Sequence, residues 1–135
     1  MPLITQLVVY PVKGCSGVSV TSAVLESTGL LLDRHFCLVR ADGSGRFVAC
    51  RHKPRLLLVK TKLLDKDGNE ATALTEWPSE LVCSTAGLPP LRLSLARSAS
   101  PAQQLPITVW DWTGLGSDCG DEAAGALHLM SDLWQ

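Results

Sequence analysis

The sequence predicts a mainly β protein, a small antiparallel β-barrel or sandwich with one C-terminal α-helix. Short apolar and β-branched runs recur along the first four-fifths of the chain, and turn signals separate them about every eight to twelve residues, as in small sandwiches and barrels. The apolar period switches to helical spacing only after Gly120. The chain has 135 residues, 46% of them hydrophobic and 19% charged. That is enough for one domain burying roughly two-thirds of its unfolded surface, and too apolar for disorder.

The elements follow in order. Leu3–Val12 is rich in β-formers and delivers Lys13 into a turn. Val18–Leu25 alternates apolar and small polar residues with a period of two, as a half-buried strand does. A further apolar run after Gly29 delivers Arg34. Phe36–Arg40 and Arg46–Cys50 flank Ala41-Asp42-Gly43-Ser44-Gly45, a hairpin signal because Asp-Gly and Gly supply positive φ. Leu56–Leu64 and Glu70–Leu74 flank Asp65-Lys66-Asp67-Gly68-Asn69 for the same reason. Leu81–Ser84 and Leu91–Ala96 are two weaker strands, with Pro89-Pro90 barring one continuous central strand. Ser98–Gln104 reads as an exposed loop and Ile107–Trp110 as one more strand. Asp121–Met130 reads as a helix, with acids in its first turn where the macrodipole favours them and Asp118 as N-cap candidate. Its apolar positions Ala123, Ala126, Leu127, Met130 and Leu133 share a face, and Trp134 follows.

The net charge of −1 supplies no global field for nucleic acid or an anionic membrane, so an anion site has to be local. Met1 leads directly into strand-like residues without a basic n-region, and no apolar run approaches the ~20 residues needed to cross a bilayer. Five cysteines without a Cys-x-x-Cys pair read as reduced thiols, with no zinc site. These features predict a cytoplasmic protein with no membrane segment.

Lys13 and Arg34 are the candidate anion-binding cations. Pro11 stiffens the strand end before Lys13, and Gly14 and Gly17 allow backbone N–H groups to approach an oxyanion closely. Arg34 offers a planar fork suited to phosphate, with Asp33 beside it as orienting partner. Spacing alone leaves open that both are solvated strand-end cations. In the basic cluster Arg51-His52-Lys53-Pro54-Arg55, Arg51 follows a strand directly and is the better second clamp, while Lys53 and Arg55 fit a solvated loop. His35, His52 and His128 are scattered and read as structural. Ser16 and Ser19 have no base placed to activate them. Cys15 reads as a buried, inert thiol rather than a thiolate stabilised by Lys13, and Cys119 as part of a structural turn. No catalytic residue and no metal ligand is assigned.

Tyr10-Pro11-Val12-Lys13, Gly17-Val18-Ser19-Val20, Gly29-Leu30, Asp33-Arg34, Gly45-Arg46-Phe47, Arg51, Pro54-Arg55-Leu56 and Asp118-Cys119-Gly120-Asp121-Glu122-Ala123-Ala124 occur in that order. Together they resemble the N-terminal β-barrel domain that precedes MOSC domains, in a group that includes molybdenum cofactor sulfurase and the mitochondrial amidoxime reducing component. The resemblance runs from Leu3 to about Leu127. It implies binding of the molybdenum cofactor, a molybdopterin, with Lys13 and Arg34 at the phosphate end, Gly14 where relatives often carry Ser, and Arg51 near the pterin. It also implies a division into a barrel domain at 1–112 and a connecting turn and helix at 113–135 that opens a MOSC domain. The cysteine that ligands molybdenum in relatives lies downstream of the Asp-Cys-Gly-Asp-Glu segment, so this chain alone is expected to be inactive. The longer protein would be an oxidoreductase acting on N-hydroxylated substrates, with an electron-transfer partner, or a sulfur carrier. Pyridoxal phosphate is associated with the family, but no lysine context here suits a Schiff base. The alternative reading is a non-catalytic interaction module that pairs through exposed Leu127, Met130, Leu133 and Trp134 of its C-terminal helix.

Overall fold

The computed structural model describes residues 1–96 and 103–132. It is mainly β with, among the described residues, one α-helix at the C-terminal end. Strand β1 (Leu7–Val9) pairs antiparallel with β2 (Val18–Val20), placing Leu7 opposite Val20 and Val9 opposite Val18. The sequence suggested a strand from Leu3 to Val12, but Leu3 to Gln6 are exposed and unpaired. Beyond β2 the chain breaks into β3 (Ser22–Ala23), β4 (Leu25–Glu26) and β5 (Gly29–Leu30), the last two forming a tight hairpin.

Residues 36–50 reverse as expected around Asp42–Gly45, but by a single antiparallel bridge, Val39 to Phe47, rather than a ladder. Hydrogen bonds from Arg40 N–H to the Arg46 carbonyl (2.8 Å) and from Val48 N–H to the Leu38 carbonyl (2.7 Å) hold it. Pro54–Leu58 forms a 3-10 helix with Pro at its start, where the missing N–H costs nothing. Strand β6 (Lys60–Leu64) follows, and the Asp65–Asn69 turn closes on the Asp65 carboxylate, whose Oδ1 accepts from the N–H groups of Asp67 (2.9 Å) and Asn69 (3.0 Å). The returning chain leaves β6 after one bridge and forms β7 (Ala73–Leu74), which pairs parallel with β3.

The sheet beneath the core is β6–β8–β9, with β8 at Glu80–Ser84, β9 at Leu91–Ser94 and antiparallel registers throughout. Strand β10 (Gln104–Val109) and β11 (Trp112–Ser117) form a separate hairpin. The sequence suggested a connecting turn from residue 113, and the chain instead continues as β11 to Ser117. Of the expected loop at Ser98–Gln104, residues 98–102 lie outside the described residues, and Gln104 already belongs to β10.

Among the described residues no sheet closes into a barrel. The strands form separate small sheets, and closure requires an unbroken, staggered ladder. Pro78, Pro89 and Pro90, together with strands as short as two residues, interrupt it. The core lies between β6–β8–β9 and the N-terminal segments. Leu56, Leu63, Leu74 and Leu81 are fully buried there beside Val9 and Val59.

Helix α1 (Asp121–Asp132) packs on the 3-10 helix and β9 through buried Ala123, Leu127 and Met130. That corrects the interaction-module reading, because Leu127 (8% exposed) and Met130 (3%) face the core and not a partner. Leu133 and Trp134 lie outside the described residues. Gly120 occupies the N-cap position, and the Asp118 carboxylate accepts from Gly120 N–H at 2.8 Å, so it braces the helix entry from two residues upstream.

Candidate functional site

Two segments run side by side at the start of the site. Arg34 N–H donates to the Tyr10 carbonyl (2.6 Å), Phe36 N–H to that of Pro11 (2.9 Å) and Lys13 N–H to that of Phe36 (2.8 Å). Pro11 and Val12 are buried beneath them, so the strand end that carries Lys13 is anchored on both sides. Asp33 Oδ1 accepts from Tyr10 N–H at 2.9 Å, and Oδ2 accepts from Arg34 Nη1 at 2.6 Å. One carboxylate therefore ties the two segments and orients the guanidinium, the role its sequence position suggested. The Arg34 Cζ lies 4.6 Å from the centre of the Tyr10 ring. Leu32 (φ 64°) and Arg34 (φ 50°) both take the left-handed conformation, a bend that buries Leu31 and Leu32 while leaving Arg34 exposed.

Lys13 and Arg51 belong to a second cluster. Lys13 Nζ is 5.1 Å from the Phe47 ring centre, Phe47 packs edge-on against Trp110 at 4.9 Å, and Arg51 Cζ is 4.3 Å from the Trp110 ring. Gly14, at φ 93°, turns the chain behind Lys13 so that a Cβ there would lie 3.6 Å from Cys50 N. The turn bearing Lys13 thus rests against the residue that precedes Arg51. The structure brings Lys13 and Arg51 together on one aromatic stack, with Gly14 turning the chain behind Lys13, and sets Arg34 on the neighbouring hydrogen-bonded segment against a different ring. Among the described residues neither Lys13 nor Arg51 forms an ion pair.

The two-residue reversal between β10 and β11 has Trp110 first, at φ 53°. Glycine is the usual residue at a left-handed first position of such a turn. Sequence reasoning missed the ring contacts of Tyr10, Phe47 and Trp110. The available signal was the two-residue gap Trp110-Asp111 between apolar runs, which marks a hairpin tip and not a strand end.

Beside this rim lies an apolar groove of about 720 Å³ between residues 35–41, β9, the β10–β11 hairpin and α1. Leu38, Leu93, Leu105, Ile107, Cys37 and Cys119 are among its walls, whereas Lys13, Arg34 and Arg51 are not. Four of the thiols are shifted, chiefly by burial. Burial, then the neighbouring Cys83, pushes the Cys15 thiol up to about 12, and burial pushes Cys83 to about 11. Cys37 is raised by burial, partly offset by Lys13, and Cys119 by burial, Asp118 and Cys37. Among the described residues no group of three or more His, Cys, Asp or Glu side chains is placed to hold a metal ion. His52 has a structural task, with its Nδ1 accepting from Ala49 N–H at 3.3 Å. No helix among the described residues is long and apolar enough to cross a membrane.

The family model described as the MOSC N-terminal beta barrel domain matches residues 1–133. Mitochondrial amidoxime reducing component 2 of Bos taurus is 30% identical over 125 residues, covering 90% of this chain and 32% of that protein. Molybdenum cofactor sulfurase of Neurospora crassa is 30% identical over 134 residues, covering 96% of this chain and 13% of that protein. Mitochondrial amidoxime-reducing component 1 of Homo sapiens is 34% identical over 83 residues, 58% of this chain and 23% of that protein. The chain thus spans a third or less of the length of these relatives. No solved structure matches it. With the motif order and the family match over residues 1–133 in agreement, the chain belongs to the MOSC N-terminal beta barrel domain family.

Proposed function

We propose that this chain holds the phosphate end of a molybdenum cofactor, using Lys13, Gly14, Arg34 and Arg51, within a longer oxidoreductase or sulfur-carrying protein. The observation that supports this most directly is the Lys13–Phe47–Trp110–Arg51 stack, two cations held on rings with no carboxylate partner among the described residues. Exposed cation–ring contacts of this kind are worth only ~0.5–1 kcal/mol each. They order the cations without neutralising them, which suits a dianionic phosphate.

The donor set fits one end of the cofactor. Lys13 supplies a point charge, and Arg34 and Arg51 supply planar forks that match phosphate oxygens. Gly14, at φ 93°, makes the turn that presents Lys13. Among the described residues no group of three or more His, Cys, Asp or Glu side chains is placed to hold the metal end. When bound, the cofactor supplies the redox or sulfur chemistry, and this chain contributes binding and orientation. The names of the relatives favour reduction of N-hydroxylated compounds or cofactor sulfuration as that chemistry.

The test is the pterin content of the 135-residue chain purified from a cofactor-producing host, read as oxidised-pterin fluorescence. The chain is expected to retain pterin and Lys13→Ala/Arg34→Ala to lose it. Equal pterin in both, or none in either, overturns the assignment to this chain.

A further inference from the structure

We propose that Trp110 is a positioning residue of the anion site, holding Arg51 and, through Phe47, Lys13 in one array for a phosphate-bearing ligand. This rests on the reading that Lys13 and Arg51 bind phosphate. The backbone at Trp110 is the first observation. A φ of 53° on a bulky side chain is an outlier that glycine would relieve.

Burial does not explain its retention, because Trp110 is 55% exposed. What the ring touches is Phe47 at 4.9 Å and the Arg51 guanidinium at 4.3 Å. Strain kept at an exposed turn and directed at two functional side chains is the pattern of a binding site.

The hairpin is also registered to the residues it orders. Phe47 N–H donates to the Thr108 carbonyl at 3.1 Å and Thr108 N–H to that of Gly45 at 2.9 Å, fixing the turn relative to residues 45–51. The Asp111 carboxylate, next in the turn, forms no ion pair with Arg51 among the described residues, so the stacked guanidinium keeps its charge for a ligand. Arginine's flexible stem otherwise loses rotamer freedom when a ligand binds. Ordering it beforehand removes that loss from the binding step.

The experiment compares the full chain with Trp110→Gly, Trp110→Phe and Lys13→Ala/Arg34→Ala, using inorganic pyrophosphate as the probe. Three quantities are read: thermal midpoint, pyrophosphate affinity, and the NMR signal of the Arg51 Nε–H. Trp110→Gly is expected to keep or raise the midpoint while the Arg51 signal loses its ring-current shift and affinity falls about two- to fivefold, the range of an exposed cation–ring contact. Trp110→Phe is expected to restore most of both. Lys13→Ala/Arg34→Ala should lose pyrophosphate yet keep the parent's Arg51 signal.

An unchanged Arg51 signal or unchanged affinity in Trp110→Gly overturns the positioning role. So does a loss of affinity that follows the thermal midpoint and is not restored by phenylalanine, since that marks a merely structural tryptophan. If instead the parent fails to bind pyrophosphate, or Lys13→Ala/Arg34→Ala binds it like the parent, the phosphate reading falls. The Arg51 signal then still decides whether Trp110 orders that side chain.

Discussion

The β6–β8–β9 sheet and the rim formed by residues 35–53 with the β10–β11 hairpin draw on similar residue types but are held in different ways. In the sheet, Leu63, Leu81 and Leu91 lie below 10% exposure and every strand has a full antiparallel register. In the rim, residues 35–53 hold to themselves and to the fully registered β10–β11 hairpin by single bridges (Val39 to Phe47, Arg46 to Thr108), and Trp110, Trp112 and Leu115 are more than half exposed. Arg34 and Trp110, on or beside the rim, adopt left-handed backbone. The difference teaches where local preference was satisfied and where it was overridden. Rule-breaking concentrated around a cluster of cations is expected of a functional site rather than of a poorly formed edge.

Leu63→Ala tests the first half of that contrast and carries the largest expected effect. The side chain is 1% exposed, so its removal leaves a cavity, and a loss of about 2–5 kcal/mol is expected in denaturant unfolding. Gly45→Ala probes the rim. Gly45 sits at φ 68°, and a Cβ there would collide with the Pro106 carbonyl oxygen, forcing the hairpin away from residues 45–47. A cost of about 2–3 kcal/mol is expected, and amide exchange should quicken at Phe47 and Thr108 before it does at Leu63. Equal quickening in both regions would break the comparison, making the rim part of the same cooperative unit as the sheet.

What was legible in the sequence divides along the same line. The two weaker strands Leu81–Ser84 and Leu91–Ala96, the Asp65–Asn69 turn and the helix from Asp121 follow from local signals, and the structure has each within a residue or two. The parallel pairing of β3 with β7 was not legible, since it joins residues some fifty positions apart and leaves no local mark. In the site, Lys13, Gly14, Arg34 and Arg51 were singled out by turn chemistry and charge. The rings under those cations were not, because a cation–ring contact depends on tertiary approach and the sequence shows only composition. The Leu127–Met130 face was legible as apolar, but not as covered, because a 3-10 helix at Pro54–Leu58 meets it where a strand was expected.

Two buried thiols make the core sensitive to alkaline pH. Cys15 and Cys83 have thiols raised from 9.0 to about 12 and about 11, chiefly by burial. A raised folded value means the unfolded chain releases its protons first. The contribution is complete below about pH 9 and is lost as pH rises through the folded values. At pH 10 each thiol should lower stability by on the order of 1 kcal/mol relative to pH 8. Unfolding measured between those limits should show the slope, and Cys15→Ala/Cys83→Ala should flatten it. A slope that survives the double substitution would move the alkaline sensitivity out of the core and weaken the contrast.

The smallest effect sharpens the comparison from outside. Arg92 and Glu80 face each other across β8 and β9 in a two-pronged pair, with Arg92 Nε 2.6 Å from Glu80 Oε1 and Nη2 2.8 Å from Oε2. By geometry this is the best ion pair among the described residues, yet it lies on the solvent face, where screening and side-chain entropy cancel most of the attraction. The hydrogen bonds to Arg92, then its charge, hold the Glu80 carboxyl below its ordinary value. Any stabilisation is therefore present above the unfolded carboxyl's pKa and is lost as pH falls through the lower folded one. Arg92→Ala should move the thermal midpoint at neutral pH by no more than the scatter between repeats, and the two proteins should converge in acid. A clear drop at neutral pH would mean that the sheet depends on its surface as well as on its buried leucines. The rim would then differ from it in degree of burial alone.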